Sequence, residues 1–214
     1  MAQVLKQEVR DRIVAAALRC FSRKGVAATT MSEIAEQAEV AVANLYRYYE
    51  NKDALFAAVV PDELVATFDA LLAKSAHAHS FVADGSAPRD LSAASELLEF
   101  WLAHRHAVIV LLEHSEGTPH ERFSQRFAAR LVDVSLDEIR AHHPHVVIDR
   151  EARLVLTQVF ENTRRTIASI LRSTRSDREA RAAIAAFRSY QVAGLAALVQ
   201  WIVDASTPEP RELP

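Results

Sequence analysis

The stretch TTMSEIAEQAEVAVANLYRYYENKDAL, Thr29 to Leu55, decides the fold. Thr30 and Glu33 make the S/T-x-x-E pattern, in which the threonine hydroxyl and the glutamate carboxylate each accept a hydrogen bond from the other residue's backbone N–H, so a helix starts there. It is short and turns Ile34, Ala35 and Ala38 inward. Glu39-Val40 then reads as a turn, a third short helix spans about Ala41 to Tyr48, and Asn51 caps a fourth that begins near Lys52. Upstream, Ile13, Ala16, Ala17, Cys20 and Phe21 form one apolar stripe on a helix from about Gln7 to Lys24, and Gly25 stands where a left-handed cap belongs. Three helices with only a brief turn between the second and third describe a helix-turn-helix unit. The same spacing also fits a small helical subdomain with no nucleic-acid role.

Composition narrows the rest of the chain. Four glycines in 214 residues are too few for a phosphate-cradling loop or a run of tight β-hairpins, both of which need positive φ. One cysteine, Cys20, excludes an intramolecular disulfide framework and suits a reducing compartment. No apolar leader and no uncharged apolar run of about 18 residues occurs, so the expected location is cytoplasmic, with no membrane partner. The formal charge is -3, but residues 1–52 carry eight Lys or Arg against six Asp or Glu. A weakly basic head on an acidic body follows.

Beyond Lys52 the helical patterns are longer, at about Asp90–His104, His106–Ser115, Pro119–His143, Asp149–Thr174 and Asp177–Ala205. Pro61 lies inside the fourth pattern and removes a backbone hydrogen bond to the Ala57 carbonyl, so a kink or break is expected. Ser75–Arg89 reads as a loop, and residues 206–214, with three prolines, as a disordered tail. The expected division is 1–51, 52–205 and 206–214. Between Tyr190 and Val203 only Gln191 and Gln200 are strongly polar, so the last helix is apolar on nearly every side. Such a helix must be buried, either against a second subunit or as the central helix of a monomer, and Leu195 and Leu198 are the residues expected at a subunit interface.

The segments Thr29–Ala38 and Asn44–Leu55, the latter carrying an L-Y-x-Y-[FY]-x-[NS]-K-x-x-L pattern, resemble the N-terminal DNA-binding region of the tetracycline-repressor (TetR) family, and the resemblance covers about Arg10 to Val59. It implies an all-α protein, a helix-turn-helix domain followed by a larger ligand-binding and dimerisation domain. It also implies a homodimer through the last two helices, bound to pseudo-palindromic double-stranded operator DNA and released by a small-molecule effector. By position, Thr30, Tyr46, Tyr48 and Lys52 would meet phosphates or groove edges, which suits hydroxyls and an ammonium. Base reading would fall to Val42, Ala43 and Asn44, of which only Asn44 can pair bidentately with adenine. Two departures weaken the expected affinity. Glu39 stands where the family usually has Gly, and Ala41 where it usually has a capping Ser or Thr.

Nine histidines invite a metal or enzymatic reading, but H-E-x-x-H and G-x-S-x-G are absent and no Glu is followed by His at i+3. No cofactor, metal or catalytic residue is expected. For a ligand cavity the candidates are Leu97, Trp101 and His104 on one helix face, Phe123 and Phe127, the polar line Gln158, Asn162 and Arg165 at i, i+4 and i+7, and His114 beside Glu113 at a helix end. These groups favour a mainly apolar or aromatic effector. The aromatics read equally as core, and the polar line as a solvated or dimer-facing strip. The resulting function is an effector-controlled transcriptional repressor. The alternative is a helical interaction protein with weakened DNA binding.

Overall fold

A computed structural model describes residues 2–78 and 92–206, and every regular element in them is an α-helix. In chain order these are α1 (Ala2–Lys24), α2 (Met31–Gln37), α3 (Val42–Tyr48), α4 (Lys52–Val59), α5 (Asp62–Ala78), α6 (Ser92–Ala103), α7 (Arg105–Glu113), α8 (Phe123–His142), α9 (Arg150–Ser173) and α10 (Asp177–Ser206). The all-α class read from the sequence is correct. The loop expected at Ser75–Arg89 is helical as far as Ala78, and its remainder, like the tail after Ser206, lies outside the described residues.

The chain forms two compact units, one of residues 1–70 and 100–126 and the other of 71–99 and 127–214. In the first unit the stripe foreseen on α1 is real, since Ile13, Ala16, Ala17, Cys20 and Phe21 are all buried, as are Ile34, Leu45, Leu55 and Phe56 from the three helices that follow. The unit takes in more than residues 1–51 because α1 has a second face to cover, and α7 covers it. All six residues from Ala107 to Leu112 are buried, so this part of α7 is apolar and enclosed on every side, with Arg105, His106 and Glu113 at its ends. Pro61 does break the helix: α4 ends at Val59, and the Pro61 carbonyl accepts from Leu64 and Val65 N–H to open α5. His120, held by its N–H to Thr118 Oγ1, places its ring 6.0 Å from that of Phe56 and its Nε2 3.4 Å from Asp62 Oδ1, one contact on each side of the break.

A polar contact ties α7 to α1. His106 Nδ1 lies 2.8 Å from Ser22 Oγ, which itself donates to the Arg19 carbonyl. The histidine is exposed along its outer edge, yet loss of hydration on the α1 side, with Arg19 and Arg105 adding repulsion, pushes its pKa below the ordinary value. A histidine depressed in the folded state stabilises the fold while neutral, and that contribution is lost as pH falls below the unfolded value near 6.5. The thermal midpoint should therefore drop between pH 7 and pH 5, and His106→Gln should remove part of that drop. Identical pH profiles for the two proteins would exclude His106 as the titrating group.

The second unit is a core of three helices. Val132, Leu136 and Ile139 from α8, Leu156 and Phe160 from α9, and Leu195, Val199 and Ile202 from α10 form one buried cluster. Gln191 donates to Thr163 Oγ1 (2.6 Å) across α9 and α10, and Arg181 on α10 grips Glu99 on α6 with both terminal nitrogens. The expectation for Leu195 needs correction, since it is buried in this core and not free for a subunit interface, while Leu198 is half-buried and packs against the same core. The opposite side of α10, where Tyr190 (75%) and Trp201 (53%) stand with Ala193, Gly194 and Ala197, is the exposed one. Among the described residues α10 is also the one helix long and apolar enough to cross a membrane, by length and composition only.

Candidate nucleic-acid interface

The local chemistry of α2 is as the sequence indicated. Thr30 Oγ1 accepts from Glu33 N–H at 3.3 Å, and Thr30 N–H donates to Glu33 Oε2 at 2.9 Å. The same carboxylate receives the Lys24 ammonium, joining the end of α1 to the start of α2. The Lys24 hydrogen bond, with those from Thr30, holds the Glu33 pKa down at about 2.

The turn into α3 is less relaxed. Glu39 takes φ +55°, and is the one non-glycine residue with positive φ among the described residues. Ala41 precedes α3 without a side-chain cap. Leu45 is buried in the small core and orients α3 so that Val42, Ala43, Tyr46 and Arg47 form one outward face, with Tyr46 49% exposed. Asn44 and Tyr48 lie on the flanks of that face, half-buried. Arg47 was not among the contacts suggested by the resemblance. Its signal was available, because it follows Val42 and Ala43 at helical spacing and carries a fixed positive charge.

Lys52 behaves differently from an outward phosphate ligand. Its ammonium donates to the carbonyls of Val26 (2.7 Å), Ala27 (3.2 Å) and Thr29 (3.0 Å), using all three of its hydrogens inside the loop between α1 and α2. Asn51 Oδ1 accepts from Ala54 N–H at 2.8 Å and starts α4, as expected.

The residues proposed for a ligand cavity are divided between the two units. Phe123 lies 4.9 Å from Phe68 in a stack of buried rings that includes Phe100 and Trp101, and His104 sits exposed with its ring 4.7 Å from Phe100. Trp101 is 7% exposed, and its Nε1–H has no partner among the described residues. Leu97 and Phe127 are buried apolar residues of the other unit. Gln158, Asn162 and Arg165 stand on the side of α9 away from its buried residues, so they line an outer strip and not an interior wall. His114 caps the end of α7 with its ring against Gly25, whose φ is +90°.

Two short helices across a tight turn, the first boxed at its N-terminus and the second presenting an uninterrupted exposed face, define a helix-turn-helix domain of the DNA-binding kind. Residues 13–59 match the family described as bacterial regulatory proteins, tetR family. The chain is 43% identical over 65 residues to the HTH-type transcriptional regulator TtgR of Pseudomonas putida and, to the same degree, to the probable HTH-type transcriptional regulator ArpR of the same species. Each alignment spans 30% of this chain and 30% of the relative. A solved tetR-family transcriptional regulator from Streptomyces coelicolor is similar over 95% of this chain and 91% of its own, at 21% identity and a TM-score of 0.36.

Proposed function

We propose that the protein is a DNA-binding transcriptional repressor, homodimeric through α9 and α10 and released from its operator by a small molecule. The exposed face of α3 carries this reading: Val42, Ala43 and Tyr46 can enter a major groove, Arg47 can reach phosphate or a guanine edge, and Asn44 at the flank can pair with adenine. Dimerisation is supported by the outer side of α10, where two large aromatics flank small residues and the open space at Gly194 allows another helix to approach. The unpartnered Trp101 N–H supports an effector that offers a hydrogen-bond acceptor among aromatic rings.

The test is selection of bound sequences from random duplex, followed by affinity measurements over a range of salt. Arg47→Ala should weaken binding to every sequence and lower the slope of log K against log salt by about 0.9 for each phosphate that the guanidinium neutralises. Asn44→Ala should mainly reduce the preference for the selected site. If no duplex is retained even at low salt, the proposal is wrong and the alternative, a helical interaction protein, replaces it.

A further inference from the structure

We infer that Glu39 attenuates DNA affinity through its charge and lowers the stability of the DNA-binding unit through its backbone. This rests on the proposed DNA-binding role of α3. Its backbone occupies the left-handed region that glycine adopts freely and a Cβ-bearing residue adopts under strain. The turn nonetheless holds, since Ala38 N–H donates to the Ile34 carbonyl, Glu39 N–H to that of Glu36 and Val40 N–H to that of Ala35. Glu39 therefore keeps an unfavourable conformation because the turn on both sides of it is hydrogen-bonded.

The side chain gains nothing that would offset the strain. Glu39 is exposed, and no donor or cation among the described residues engages its carboxylate. Glu33 at the other end of α2 contrasts with it, since Lys24 and the Thr30 cap neutralise its charge. Glu39 precedes the exposed α3 face by one turn of chain, so its negative charge stands at the edge of the surface that would meet the phosphates. The strain lowers the stability of the unit that binds DNA, and the charge repels the ligand.

Two variants separate the effects, because Glu39→Gln removes the charge and leaves the strain, while Glu39→Gly removes both. The probe is a fluorescein-labelled mixed-sequence duplex, read by anisotropy with the full-length chain, and thermal unfolding is followed in parallel. Glu39→Gln should bind about three- to tenfold more tightly at low salt, with the gain shrinking as salt screens the charge. Glu39→Gly should show the same gain and a thermal midpoint higher by several degrees. A parent protein that binds while Glu39→Gln stays within about twofold of it overturns the electrostatic part. An unchanged midpoint in Glu39→Gly overturns the strain part. If the parent protein and both variants all fail to bind duplex, the DNA-binding reading fails, and this inference fails with it.

Discussion

Leu195→Asp is expected to cost more stability than any other single change considered, and to do so by unfolding the second unit. Leu195 is 4% exposed in the cluster that α8, α9 and α10 share. Removing its side chain forfeits about 2 kcal/mol of apolar burial, and a carboxylate left there unpaired adds a desolvation cost of several kcal/mol more. Since a domain of ordinary stability has only about 5–15 kcal/mol in total, loss of soluble folded protein is the expected outcome. Ala197→Glu, on the exposed side of the same helix, should leave the far-ultraviolet circular dichroism and unfolding midpoint near the parent values. Under the proposed assembly it should convert dimer to monomer in sedimentation, because two copies of the charge would face each other across a two-fold axis. A folded, unchanged Leu195→Asp protein would contradict the packing of α10. A dimeric Ala197→Glu protein would place the interface elsewhere.

Lys52→Ala should produce the second largest effect, and its signature separates an internal staple from a phosphate contact. Three carbonyls converge on one ammonium, and those of Val26 and Thr29 belong to buried residues that water reaches poorly. Losing these bonds should destabilise the first unit by about 2–4 kcal/mol, measured by denaturant unfolding. Lys52→Arg should rescue little, since a planar guanidinium cannot aim its hydrogens at three carbonyls arranged around a point. DNA affinity should fall only as far as the unfolded fraction requires, and the salt dependence of the folded fraction should match the parent. A slope lower by about 0.9 with stability unchanged would instead return Lys52 to the phosphate contacts.

Acid should act on the same region through Glu33. Its pKa is lowered to about 2 by Lys24 and the Thr30 cap, so the stability it contributes is complete above the ordinary carboxylate value of 4.5 and declines as pH falls toward 2. Glu33→Gln keeps a side chain that can still accept from the Thr30 N–H but loses the Lys24 pair. It should flatten the acid limb of the unfolding profile, and an unaltered limb would remove this residue from the account.

The starts of α2 and α4 and the break at Pro61 were legible in the sequence because each depends on residues within a few positions of one another. Thr30 with Glu33, Asn51 with Ala54, and Pro61 act through local backbone donors and acceptors, and all three behave as the sequence indicates. The exposed residues of α3 were legible for the same reason: once Leu45 is taken as the inward residue, helical geometry turns Val42, Ala43 and Tyr46 outward.

Only the tertiary structure decided which apolar helix would be enclosed and what the long polar side chains would touch. α10 reads as apolar on nearly every side, yet it buries one side and exposes the other, while residues Ala107 to Leu112 of α7 are buried on every side. Periodicity reports how much apolar surface a helix has, and only the elements packed around it determine how much is covered. Lys52 and the line Gln158, Asn162 and Arg165 show the same limit. A lysine serves a phosphate or three carbonyls with the same chemistry, and a polar stripe faces a cavity or solvent with the same spacing. Those choices rest on contacts between residues far apart in the chain, such as Lys52 with Val26, and residue order alone carries no distance between them.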